Sequence, residues 1–241
     1  MASPPRTAAL LAALLGLPAP GEMGNGQHHS HIDGRSPTTL AGTAPGVVID
    51  LATEAQTEIL GAPAKDQLAN DLRLGDVNAD GLLDVLAGAH WGSESGRNIV
   101  GRSYALFGRP AWPARIDLAG AGAADWSFMG AGREARMGSS VATADLDGDG
   151  RADLAMGSLL GDPFGQVNGG AVYIMFGGPG VGGHVDFLDS EADALLAGSS
   201  ATEGTDQLGT DMAAGDFDAD GHQDLAVAAA LRHDFSGAVF V

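Results

Sequence analysis

Asp145-Leu146-Asp147-Gly148-Asp149-Gly150-Arg151-Ala152-Asp153 places oxygen side chains at positions 1, 3, 5 and 9 of a nine-residue stretch, with glycine at position 6. The same pattern stands at Asp76-Val77-Asn78-Ala79-Asp80-Gly81-Leu82-Leu83-Asp84 and at Asp216-Phe217-Asp218-Ala219-Asp220-Gly221-His222-Gln223-Asp224. Carboxylates packed this closely repel one another. A hard dication that takes six to eight oxygens at roughly 2.3 to 2.6 Å relieves the repulsion. Glycine at position 6 lets the backbone turn sharply around the ion through φ > 0. Position 7 varies among Leu82, Arg151 and His222, so this residue is expected to offer its backbone carbonyl. The candidate ligands are therefore Asp76, Asn78, Asp80, Leu82 and Asp84; Asp145, Asp147, Asp149, Arg151 and Asp153; and Asp216, Asp218, Asp220, His222 and Asp224. The expected cofactor is Ca²⁺, up to three ions in a structural role.

An EF-hand shares the first six positions but ends on a bidentate Glu at position 12 and lies between two helices. Position 12 here is Ala87, Met156 or Val227, none of which can bind a cation. Short apolar runs follow the loops instead: Asp84-Val85-Leu86-Ala87-Gly88, Asp153-Leu154-Ala155-Met156-Gly157 and Asp224-Leu225-Ala226-Val227-Ala228. They are too short for helices and fit buried strands. The ninth-position Asp thus takes the place of the EF-hand Glu, in a β-hairpin.

The loops keep register. Asp76 and Asp145 are 69 residues apart, Asp145 and Asp216 71. Each unit opens on a similar triplet: Ile49-Asp50-Leu51, Ile116-Asp117-Leu118 or Val185-Asp186-Phe187. A run ending in glycine comes next, at Ile59-Leu60-Gly61, Phe128-Met129-Gly130 and Leu195-Leu196-Ala197-Gly198. After the hairpin comes a glycine-led strand, at Gly101 to Gly108, Gly170 to Gly177 and Gly237 to Val241. Self-similarity at this period, with about four short strands per unit, signals a stacked or radial array.

These features resemble the FG-GAP repeat family, the β-propeller blades of integrin α-subunit heads and of many bacterial secreted proteins. The resemblance covers about 47 to 241 and rests on the three acidic loops, on Phe107-Gly108 and Phe176-Gly177, and on Gly88-Ala89-His90 where the family has Gly-Ala-Pro. Gly157-Ser158-Leu159 and Ala228-Ala229-Ala230 depart from that last pattern. The resemblance implies an all-β fold, a β-propeller whose blades are four antiparallel strands, with calcium clamping the hairpin between the first two. It places blades at 47–113, 114–183 and 184–241, the third truncated. Rings close with four to eight blades, so three repeats predict an incomplete ring. Aligning Gly237 with Gly170 puts the next Phe-Gly two residues past Val241, which predicts a fragment of a longer protein or, failing that, self-association through open blade edges.

Composition fits a glycine-rich β protein: 38 Gly and 11 Pro in 241 residues oppose a helical domain, while 44% hydrophobic residues suffice for a core. The net charge of −19 excludes nucleic acid as a partner, since phosphates would be repelled. The eleven loop aspartates carry over half of that excess, and three Ca²⁺ would reduce it to −13. There is no cysteine, so bound calcium is expected to do the cross-linking that disulfides would otherwise do.

Residues 1–20 read as a secretory signal peptide: a short start with Arg6, then an Ala/Leu run from Thr7 to Leu17 that is too short to span a membrane. Residues 21–46 read as a flexible Gly/Ser/Thr/Pro-rich linker, and His28, His29 and His31 within it as solvated side chains. Gly178-Pro179-Gly180-Val181-Gly182-Gly183 matches a dinucleotide fingerprint in letters, but a strand follows where a helix N-terminus would be needed, so it reads as a turn. No nucleophile elbow occurs, because Gly92-Ser93-Glu94-Ser95-Gly96 has Glu at its centre. Trp91, Trp112 and Trp126 read as core packing. The expectation is a secreted or cell-surface, non-catalytic binding or adhesion module that meets an extracellular protein or glycan. Two alternatives stand beside it: the accessory propeller segment of a secreted hydrolase or lyase, and a structural oligomer of open wedges.

Overall fold

The computed structural model describes residues 55–62, 65–93, 96–199 and 206–241. The expected signal peptide, the linker with its histidines, and the first opener Ile49-Asp50-Leu51 lie outside the described residues.

Fourteen strands form among the described residues, and they recur in the order of the sequence landmarks. From the first repeat come β1 (Glu58–Leu60), β2 (Leu72–Gly75), β3 (Asp84–Ala89) and β4 (Arg102–Leu106). The second gives β5 (Arg115–Asp117), β6 (Trp126–Met129), β7 (Met137–Ala144), β8 (Asp153–Ser158) and β9 (Ala171–Met175). The third gives β10 (Gly183–Asp186), β11 (Ala194–Ala197), β12 (Leu208–Gly215), β13 (Asp224–Ala229) and β14 (Ala238–Phe240). Among the described residues, helix is confined to a 3-10 turn at Pro163–Gly165 and a single turn at Arg232–Phe235.

The fold is all-β and its blades are antiparallel, with no ring closed among the described residues. The first blade is β2-β3-β4-β6, the second β7-β8-β9-β11, and the third holds β12-β13-β14. A blade in space thus combines three strands of one repeat with the second strand of the next. Each opener strand then pairs in parallel outside the preceding one, β10 on β6 and β5 on β1.

Alternating side chains explain how the blades stack. In β8, Leu154 and Met156 point toward the first blade and join a core with Leu86, Ala105, Trp126 and Phe128. Ala155 between them points the other way, into a core with Val172, Met212 and Val227 of the second and third blades. All six residues of β8 are buried because the strand is covered on both faces. That is why its middle, Leu154 to Gly157, is a run of small and apolar residues without a polar stripe. An aromatic column locks the first core: Tyr173 stacks on Phe187 at 4.4 Å between ring centres, and Trp126 meets Phe128 at 4.8 Å. Trp126 is buried as expected, and Trp112 packs against a third core around Tyr104 and Leu106.

Candidate metal centres

Each acidic loop joins the first two strands of a blade, between residues paired across the hairpin: Gly75 with Asp84, Ala144 with Asp153 and Gly215 with Asp224. The first aspartate organises the turn in all three. Asp76 Oδ2 accepts the Gly81 N–H at 2.8 Å, Asp145 Oδ2 that of Gly150 at 2.8 Å, and Asp216 Oδ2 that of Gly221 at 3.1 Å. The fifth does the same one step on, with Asp80, Asp149 and Asp220 accepting from Leu82, Arg151 and His222 at 2.8 to 2.9 Å. Gly81, Gly150 and Gly221 hold φ of 85°, 86° and 93°, with no atom within 4 Å of where a Cβ would stand. Conformation, and not space, selects glycine there. Position 4 is left-handed as well, at Ala79, Gly148 and Ala219, which the sequence pattern does not announce.

The carboxylates converge. Asp145, Asp147 and Asp149 each present an oxygen within 4.8 Å of the others, and so do Asp216, Asp218 and Asp224. Oxygens bound to one Ca²⁺ at roughly 2.3 to 2.6 Å can stand at most about 5 Å apart, so both groups fit that ion, and the all-oxygen donor set suits a hard cation. The first loop has Asp76 and Asp80 with the amide Asn78 between them, and Asn78 donates to Asp80 at 3.0 Å. At position 7 the side chains of Leu82, Arg151 and His222 are exposed, and Arg151 turns back to pair with Asp149. His222 reaches the neighbouring loop, where a methyl on Gly148 would stand 3.5 Å from its Nδ1.

The ninth aspartate has a second duty. Asp153, wholly buried, accepts the Leu146 N–H of its own loop at 2.7 Å and the Gly177 N–H at 2.8 Å. Asp84 repeats the arrangement with Val77 at 2.8 Å and Gly108 at 2.6 Å. Burial pushes both carboxyls above the usual range, and the amides of Gly177 and Gly108 pull them partly back. Each oxygen retains a lone pair beyond the one it gives to an amide. The Phe-Gly pairs are therefore part of the loop architecture: their glycine amides anchor the ninth aspartate, and their Phe amides donate to Asp125 and Asp193 at 2.8 Å. Gly177 admits no side chain, because a methyl would stand 2.1 Å from the Ala152 carbonyl. Asp224 accepts the Phe217 N–H of its own loop at 2.8 Å. The recurrence of Phe-Gly one strand after each of the first two loops was the available signal for this link.

A separate cavity of about 760 Å³ lies between the 118–124 loop and strands β4 and β6, with Arg102, Tyr104, Ser127 and His184 in its wall. Ser127 Oγ and His184 Nδ1 are 3.0 Å apart as cross-strand neighbours in the β6–β10 register, a pairing that the parallel strands impose.

Comparison with known proteins agrees with the loops. The FG-GAP repeat matches at 137–175 and 208–241. Phosphatidylinositol-glycan-specific phospholipase D of Bos taurus is 38% identical over 102 residues, covering 42% of this chain and 12% of that protein. The Rattus norvegicus protein of the same name is 30% identical over 152 residues, 63% of this chain and 17% of that protein. Integrin alpha-5 of Xenopus laevis is 32% identical over 161 residues, 64% of this chain and 14% of that protein. The aligned stretches cover less than a fifth of the length of each of these relatives.

Proposed function

We propose that this chain, which carries FG-GAP repeats, is a calcium-stabilised β-propeller segment that works outside the cell as a non-catalytic binding module. The observation that carries the reading is the convergence of Asp145, Asp147 and Asp149, and of Asp216, Asp218 and Asp224, in hairpin loops of one design. The ions would be held by positions 1, 3, 5 and 9 and by the carbonyls of Leu82, Arg151 and His222. Bound calcium would neutralise each loop and fix the ends of the first two strands of a blade. Affinity in the range of extracellular modules, about 10⁻⁴ to 10⁻³ M, suits such a role. The ligand would be an extracellular protein or glycan, met by loops that vary while the blade stays constant. Export through residues 1–20 belongs to this proposal; among the described residues no helix is long and apolar enough to cross a membrane.

Isothermal titration of the chelated, folded chain with CaCl₂ tests it. Uptake of two to three ions at submillimolar to millimolar concentration is expected, and heat equal to that of dilution would end the reading.

The phospholipase matches favour a second reading, in which these blades accompany a catalytic domain of a secreted hydrolase. It predicts an enzyme domain in the same polypeptide. The coding sequence on either side of these repeats decides between the two.

A further inference from the structure

Two consecutive amides join the acidic loops of the first and second blades. Gly177 donates its N–H to Asp153 Oδ1 at 2.8 Å, and Gly178, next along the chain, donates its N–H to the Val77 carbonyl at 2.8 Å. Asp153 is position 9 of the second loop, and Val77 is position 2 of the first. Val77 in turn gives its own N–H to Asp84 Oδ2 at 2.8 Å, and Asp84 is position 9 of the first loop. A path of hydrogen bonds thus runs from one ninth-position carboxylate to the other, through Val77 and the Gly177-Gly178 pair. Val77, Asp84 and Asp153 are all buried, so water does not readily replace these bonds.

The segment that carries the two amides is fitted to both loops at once. A Cβ on Gly177 would stand 2.1 Å from the Ala152 carbonyl oxygen of the second loop and 2.7 Å from the Val77 carbonyl oxygen of the first. Gly178 holds φ at 145°, a conformation that glycine adopts without strain and other residues do not. The chain leading into the loops is tied as well. Thr143, two residues ahead of the second loop, donates its Oγ1–H to the carbonyl of Leu74, two residues ahead of the first, at 2.8 Å.

We propose that the first and second loops bind calcium cooperatively, each ion ordering the Gly177-Gly178 link that the other loop uses. This rests on the calcium reading above. An ion on the first loop fixes Asp84, and through it Val77 and the carbonyl that receives Gly178. With Gly178 seated, Gly177 presents its amide to Asp153, so the second ion meets a ligand already positioned and less conformational entropy is lost on binding. The path works equally in reverse, as linkage requires. Coulomb forces alone predict the opposite sign, because a dication on one loop weakens the negative field that attracts the next. That opposing effect fades as salt shortens the screening length, to about 8 Å at about 0.15 M. Mutual tightening that survives salt is therefore the mark of the link.

The test is a cycle of substitutions at exposed loop carboxylates, read by calorimetric titration of the full chain with CaCl₂. Asp220→Ala silences the third loop throughout, and adding Asp80→Ala or Asp149→Ala leaves only the second or only the first loop able to bind. With both loops intact, the product of the two stepwise dissociation constants should lie about fivefold or more below the product of the two single-loop values. The ratio should hold as NaCl is raised from about 0.15 M to about 0.5 M. A ratio near one at either salt concentration overturns the inference and leaves calcium binding in place. No uptake by any of the three chains overturns the calcium reading, and the inference with it. Gly177→Ala, whose methyl parts the segment from both loops, should bring the ratio toward one while each loop alone still takes calcium. Coupling undiminished in that variant would overturn the inference too, since something other than the link would carry it.

Discussion

Asp153 shows how one side chain serves two structures. Its oxygens receive amides from the loop and from Gly177, 24 residues on, so its removal strands two part-buried donors. Each orphaned donor costs about 1 to 3 kcal/mol. Asp153→Ala should therefore lose about 2 to 4 kcal/mol in urea unfolding with excess EGTA, where ion binding is not being measured. Asp224→Ala, which removes a half-buried carboxylate that accepts the Phe217 amide, should lose no more than about half as much. Equal losses would mean that the link to the Phe-Gly segment contributes nothing. Asp66 gives a prediction with a pH sign. It is 2% exposed beside Arg102 and accepts from Tyr104 at 3.2 Å, and burial raises its pKa above the usual carboxylate value. A raised folded pKa means that the ionised form is penalised above that pKa, while below the unfolded value the group is protonated in both states and the penalty vanishes. Asp66→Asn should thus melt higher than the native chain at pH 7, and the gap should close as pH falls toward 4. A gap that widens on acidification would show the charge to be stabilising.

At the scale of the element, Gly88 and Gly157 predict the response to one added methyl, since a Cβ there would stand 2.2 Å and 2.3 Å from the Gly138 and Gly209 carbonyl oxygens of the following blade. Gly157→Ala drives a methyl to 2.3 Å from a main-chain oxygen and should cost about 1 to 3 kcal/mol or more. The denaturant midpoint of this variant checks the expectation, and a Gly157→Ala chain as stable as the native one would dissolve the packing argument. Strand β8 shows why the cost is expected: both of its faces are covered, so there is no direction in which the sheet can yield.

For the whole molecule the governing quantity is charge. A chain of net −19 with eleven aspartates in three short loops repels itself, and three Ca²⁺ would bring it to −13. With the proposed affinity, about 5 mM Ca²⁺ stabilises the folded chain by about 1 to 2 kcal/mol per site through mass action. Calorimetry should show a higher melting temperature in calcium than in EGTA. In EGTA, about 1 M NaCl, which shortens the screening length to roughly 3 Å, should recover part of the difference. Identical melting in calcium and in EGTA would remove the ion from the account of stability.

The acidic loops, the strands that follow them and the repeat register were all legible in the amino-acid sequence. Each is a local signal, carried by carboxylate spacing, by a glycine that permits one turn, or by apolar runs too short for a helix. Convergence of the loop oxygens follows from the same nine residues, which bend on themselves through their own amides. Pairing between distant segments was not legible. Only the tertiary structure decided that β6 and β11 complete the blades of the preceding repeats, that Asp84 and Asp153 reach Gly108 and Gly177, and that Gly88 and Gly157 lie where one blade's main chain meets the next. These depend on hydrogen bonds and close approaches between strands far apart in the chain, and a local pattern of residues fixes what a strand can pair with but not which partner the packed molecule brings to it.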